Sequence, residues 1–247
     1  MSKFWIIMAV VVVGFIATVT LTREESDRPQ GEVSNHIIGE GTSGVTLIEY
    51  GDFQCPACGQ YYPIINTVKD IYGDEISFQF RHFSLFGNFP NSMAAHLAAE
   101  AAGNQDRFFD MHDLIYERQE SWSPSNNAKQ VFEGYAEELD LDMERFRADY
   151  ESSETRAVIN ADGAAARDKG VTGTPTFFIN DERISNPTSV EEFFEVIDEF
   201  IERETGEPSQ NSPLNQAGAE DFGDETQLPE GFDLEGVLPS EEDELQE

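Results

Sequence analysis

Cys55-Pro56-Ala57-Cys58 holds the only two cysteines of the chain. Two thiols so spaced can form a redox-active dithiol, half of a zinc site, a small structural disulfide, or simply two buried thiols. A structural zinc site takes four ligands, and among the four histidines, His36, His82, His96 and His112, none stands at ligand spacing from another. A disulfide closing so short a loop removes little chain entropy. The pair falls where a strand gives way to a helix, and that context favours redox chemistry. Pro56 suits the first helical position, where its missing N–H costs nothing. The Cys55 sulfur then lies beside the free amides of the helix N-terminus, which favour a negative charge. A thiol of pKa about 8.5 is only ~3% ionised at pH 7, whereas one lowered to ~6 is ~90% ionised. Cys55 is therefore expected to be the exposed attacking thiolate and Cys58, one turn further in, the buried resolving thiol. Ala57 brings neither charge nor donor, so backbone amides are expected to do most of the stabilising.

Glu49 is in phase with Val45 and Leu47 in the run VTLIEY, which puts a carboxylate on an otherwise apolar strand face. Burial there would raise its pKa and make it a proton carrier for Cys58. The competing reading is a strand-end Glu turned to solvent or paired with Arg81. Asp52 reads first as a turn former. Gly173-Thr174-Pro175 precedes the run TFFIN, and proline belongs at the start of a strand. A cis Thr174–Pro175 bond there would be a specific choice, and the Thr174 backbone would be free to pair with an extended substrate segment.

These residues need a frame. Val45–Tyr50 and Thr176–Asn180 read as strands, as does the alternating Ile76–Phe83, with His36–Gly39 and Glu182–Ile184 as shorter ones. Pro56 to about Asp70 carries apolar residues at helical spacing. Helices are also predicted over Asn91–Ala102, stopping at a Gly103 cap, and over Phe108–Arg118, Lys129–Leu139, Met143–Tyr150 and Thr155–Asp168. Ser189-x-x-Glu192 is a capping box opening a last helix with one apolar stripe. The order β–α–β, helical insert, β–β–α fits an α/β fold: a mixed sheet of four or five strands with helices on both faces. Phe83, Phe86 and Phe89 are read as core ahead of a substrate groove.

The chain has 247 residues with 15 Lys and Arg against 49 Asp and Glu, a net charge of −34. Such a balance opposes a nucleic-acid partner, because phosphate binding runs on Lys and Arg. Residues 4–21 form an uncharged apolar run, about 27 Å long as a helix and close to the ~30 Å hydrocarbon core. The run is longer than a signal peptide's apolar region, and its best cleavage site, Ala17-x-Val19, is poor. Residues 1–21 are thus expected to be an uncleaved signal anchor in preference to a cleaved leader, and 22–35 a polar linker. The globular domain is placed at 36–203, with its helical insert at about 90–170. Residues 204–247 carry 14 acidic and no basic residues and read as a disordered acidic tail.

The segments EYGDFQCPAC, FRHFSLFGNFPNSMAAHLAAEAA, FFDMHDLIYE and GVTGTPTFFIN resemble those of DsbA-like thiol:disulfide oxidoreductases over about residues 34–203. The resemblance implies a thioredoxin fold with a helical insertion. It also implies Cys55 as attacking thiol, Cys58 as resolving thiol, Pro175 as cis-proline and Glu49 as a buried acid. No cofactor is expected beyond the Cys55–Cys58 disulfide, and no metal. Unfolded or folding cysteine-containing proteins are the implied partners, with a redox partner that recycles the dithiol. The implied location is extracytoplasmic, tethered to the membrane or secreted after cleavage. One departure is Ala57: strongly oxidising members carry His there, so some weight moves from oxidase toward reductase or isomerase. A thioredoxin-like polypeptide-binding module is the reading from a different class.

Overall fold

The computed structural model describes residues 31–216. The apolar run at 4–21, most of the 22–35 linker and residues 217–247 lie outside the described residues. Among those described, no helix is long and apolar enough to cross a membrane.

Five strands form one mixed sheet: β1 (His36–Ile38), β2 (Val45–Gly51), β3 (Ile76–His82), β4 (Thr176–Ile179) and β5 (Glu182–Arg183), in the order β1-β3-β2-β4-β5. β2 and β3 are parallel, from Val45 opposite Ile76 to Gly51 opposite His82. The connection is α1 (Pro56–Tyr72). β1 runs antiparallel to β3, and β4 antiparallel to β2. The β4–β5 hairpin turns at Asn180, whose φ is 54°, a left-handed conformation that Asn tolerates.

The alternation read in the sequence becomes two buried faces. Val45, Leu47, Phe78, Phe80, Phe177 and Ile179 face α1 and α8 (Val190–Thr205), where Ile64, Ile65, Val68, Phe193 and Ile197 complete the core. On the opposite face, Tyr50 and Phe178 pack with Phe83, Ala166 and Val171. The central strand is thus covered on both sides.

Between β3 and β4 lies the helical insert: α2 (Ser92–Gly103), α3 (Phe108–Glu117), α4 (Gln119–Trp122), α5 (Ala128–Glu138), α6 (Met143–Glu151) and α7 (Ser153–Asp168). α2 is buried on most sides, and its alanines let α3, α5 and α6 approach closely. The short α4 has no periodic signature in the sequence; it forms where Trp122 is fully buried, its Nε1 donating to the Ile115 carbonyl at 2.7 Å.

Four local expectations need correction. Gly103 does not cap α2 but belongs to it, followed by Asn104 in a right-handed conformation. A Cβ on Gly103 would lie 2.9 Å from His36 Cε1, so the missing side chain makes room for a ring. The capping box is only half formed: Ser189 Oγ accepts from the Glu192 amide, but the Glu192 carboxylate accepts from Thr188. The linker ends before residue 35, because the Ser34 amide and hydroxyl both donate to buried Asp162. Finally, residues 204–216 are not tail. α8 ends at Thr205 before Gly206 (φ 76°). Ser209 Oγ and the amides of Gln210 and Asn211 then donate to the Glu75 carboxylate, Ser212 Oγ donates to Asp198, and α9 (Pro213–Gln216) follows. Uncharged donors in this segment satisfy carboxylates of an acid-rich domain, an attraction that composition alone does not reveal.

Candidate active site

Cys55 is the N-cap of α1, in extended conformation (φ −68°, ψ 122°), with Pro56 opening the helix. The Thr174–Pro175 bond is cis, and Cys55 Sγ donates to the Thr174 carbonyl at 3.4 Å. Residues 119 positions apart in sequence therefore meet at one sulfur.

The two thiols are displaced in opposite directions. Cys55 is lowered from 9.0 to about 6. The largest cause is the hydrogen bond from the Cys58 thiol; burial opposes it, while Thr174 and the amides of Cys58 and Ala57 assist. The expectation that backbone amides dominate is thus corrected: they contribute, but a second thiol contributes more. The Thr174 carbonyl can serve only the protonated sulfur. The Thr174 hydroxyl is buried without a partner among the described residues, a donor available once the sulfur ionises. Burial is the main cause pushing Cys58 far above its ordinary range, with the Cys55 and Glu49 charges adding to it. Cys58 is 1% exposed and Cys55 6%. The attacking thiol expected at the surface is therefore nearly covered, while Pro56 beside it is exposed and Ala57 half-buried.

Glu49 is 3% exposed and stands in register between Phe80 on β3 and Phe177 on β4. Burial drives its pKa from 4.5 to about 8, against a lowering by Lys69, with a smaller upward push from Cys55. Among the described residues its Oε1 has no hydrogen-bond partner. Arg81 is engaged elsewhere, Nη1 donating to Asp162 at 3.1 Å. Near neutrality the site thus contains a mostly ionised thiol, a protonated thiol and a carboxyl able to gain or lose a proton.

The loop before Cys55 is gripped by the insert, which sequence spacing did not disclose. Asp52 is fully buried and accepts from the amides of Gln54 and Leu85 and from Ser92 Oγ, at 2.8, 2.6 and 2.6 Å. It makes the turn, as read, and also moors it. Gln119 Nε2 donates to the carbonyls of Phe53 and Cys55 at 2.8 and 2.9 Å. Gly59 leaves the space for that amide, since a Cβ there would lie 2.4 Å from Gln119 Oε1. Gln54 Nε2 in turn donates to the Ser123 carbonyl. Of the three phenylalanines considered, Phe83 is core, Phe89 is partly buried and Phe86 is exposed. The histidines, remote in sequence, are not remote in space: His36 and His82 meet at Glu100, and His96 meets His82.

A family model described as thioredoxin matches residues 32–199. The chain belongs to the thioredoxin family. Among solved structures, this thioredoxin-family chain is similar to oxidised BdbD from Bacillus subtilis, with TM-score 0.61 and 21% identity over 70% of this chain and 97% of that one. It is also similar to α-DsbA1 from Wolbachia pipientis, with TM-score 0.60 and 19% identity over 70% and 94% of the two chains. These likenesses establish the DsbA-type form of the thioredoxin fold, with its helical insert. By sequence, the chain is 38% identical over 157 residues to a Na(+)/H(+) antiporter NhaA 1 from Salinispora arenicola, covering 64% of this chain and 23% of that protein. The thioredoxin-family chain thus matches less than a quarter of that relative's length.

Proposed function

We propose that the protein is a thiol:disulfide oxidoreductase that oxidises dithiols in folding substrate proteins. The observation carrying this reading is the opposite displacement of two thiols one helical turn apart. Cys55 is held as a thiolate near neutrality and Cys58 as a buried thiol. In the oxidising direction, a substrate thiolate attacks Cys55 Sγ of the Cys55–Cys58 disulfide and Cys58 leaves as the thiolate. Glu49, protonated over much of the neutral range and close enough for its charge to act on Cys58, supplies the proton to Cys58 in this reading. The second substrate thiolate then attacks the substrate sulfur of the mixed disulfide, and Cys55 leaves with the electron pair. A low leaving-group pKa at Cys55 favours this second step. The backbone of Thr174 and Pro175, just ahead of β4 and beside the Cys55 sulfur, suits an extended polypeptide lying alongside Pro175.

Reductase and isomerase activity use the same steps at another redox poise, and Ala57 keeps them in view. The redox partner restoring the disulfide, and an extracytoplasmic location tethered through residues 4–21, belong to the same proposal; transport of ions does not. The test is the equilibrium of the Cys55–Cys58 pair with glutathione, together with oxidation of a reduced, unfolded protein. An oxidase should transfer its disulfide to the unfolded protein. An equilibrium constant as reducing as that of a cytosolic dithiol would defeat the oxidase direction. A Cys55→Ser/Cys58→Ser chain that retained full biological activity would favour the polypeptide-binding reading instead.

A further inference from the structure

Three side chains from three separate elements converge behind the sheet edge. His36 on β1 and His82 on β3 place their Nε2 atoms 2.5 and 2.6 Å from the same Glu100 oxygen on α2. All three donor atoms lie within 4.8 Å of one another. We propose that His36, His82 and Glu100 form a site for a divalent late transition metal, with Zn²⁺ as its occupant, clamping the first strand to the sheet and to the helical insert.

Two imidazoles and a carboxylate make a borderline-soft donor set suited to zinc and its neighbours. Metal–ligand bonds of about 2.0–2.2 Å place neighbouring tetrahedral ligands roughly 3.3 Å apart. The His–Glu contacts would therefore open by less than about 1 Å, and the two Nε2 atoms, at most 4.8 Å apart, would close by up to about 1.5 Å, as the metal takes the place of the shared protons. His82 also has the outer support that metal-bound histidines use. Its Nδ1 is 2.6 Å from Nδ1 of fully buried His96. With Nε2 on a metal, the His82 proton resides on Nδ1 and His96 accepts it. Aromatic rings line the site: His36 stacks on Phe108 at 3.6 Å, and His82 meets Phe80 and Phe108 edge-on at 5.5 and 5.8 Å. Gly103 supplies the space for the His36 ring. His36, with its side chain 17% exposed, offers the entry path.

The test uses the full-length chain with Cys55 and Cys58 closed as a disulfide, so that neither thiolate can compete. After chelator treatment it is titrated with Zn²⁺ by calorimetry and with Co²⁺ by visible absorbance. The expected result is one saturable equivalent, with a tetrahedral or five-coordinate Co²⁺ spectrum. His36→Ala and Glu100→Gln should each weaken binding by at least the ~10–100-fold that loss of an outer-shell partner costs. Glu100→Gln preserves side-chain shape and decides the matter if His36→Ala fails to fold. Weak, unsaturating uptake that both variants leave unchanged would reflect only the acidic surface and would overturn the proposal, as would no binding.

Discussion

Replacing Cys58 by Ala removes the largest single cause of the low Cys55 pKa and leaves the helix N-terminus intact. In the wild type, the fall from 9.0 to about 6 corresponds to ~4 kcal/mol of preference for the thiolate. Only part of that operates at neutrality. A group with a depressed pKa contributes fully above its unfolded value and loses the contribution as pH falls through the folded one. At pH 7 Cys55 should be ~90% ionised rather than ~1%, stabilising the reduced form by ~1.4 kcal/mol. That is ~30 mV in the oxidising direction, a moderate gain. Thiolate absorbance against pH reads the ionisation without requiring a reagent to reach a sulfur that is 6% exposed. The wild-type midpoint should lie near 6, and in Cys58→Ala it should move up, so that the pH 7 thiolate fraction drops. A wild-type midpoint near 9, or a variant midpoint that stays put or falls, would refute the assigned cause.

Glu49→Gln should flatten the pH dependence of stability. The folded pKa of about 8 lies above the unfolded 4.5, so this group's contribution is complete below pH 4.5 and declines as pH rises toward 8. The wild type should lose ~1.4 kcal/mol per pH unit from this one site, read as urea unfolding from pH 5 to 8; an unchanged slope in the variant would clear Glu49 of the role. Gln119→Ala removes two hydrogen bonds to the Cys55 loop and should cost about 1–3 kcal/mol in the same unfolding assay, with slower disulfide exchange; unchanged stability and exchange would contradict the grip of the insert. Truncation after Thr205 should lower the melting temperature, because Glu75 and Asp198 lose partners, yet leave disulfide exchange intact; loss of exchange would give residues 206–247 a part in the site.

What the sequence disclosed was what local pattern controls. Pro56 after Cys55 set the helix start, and the phase of Val45, Leu47 and Glu49 placed the carboxylate on the buried face. Thr174-Pro175 ahead of TFFI marked the strand opposite the cysteines. What stayed hidden depended on residues far apart in the chain. Spacing cannot say that Thr174 lies over Cys55, that Gln119 reaches two carbonyls of the loop, or that Asp52 moors β2's exit to α2. The histidines are the sharpest case. Ligand spacing within one element was the only pattern available, whereas the fold collects one ring from each of two strands and a carboxylate from a helix. Residues 209–212 show the same limit, since their acidic surroundings gave no hint that Glu75 and Asp198 needed donors.

The account rests on Cys55 attacking and Cys58 resolving, and covalent trapping tests this division most directly. Cys58→Ala, incubated with a reduced unfolded protein under mild oxidation, should accumulate a mixed disulfide that peptide mapping locates on Cys55. Cys55→Ala should accumulate almost none, because its remaining thiol is 1% exposed and held protonated. Efficient trapping on Cys58 in Cys55→Ala, with little on Cys55 in Cys58→Ala, would contradict the account.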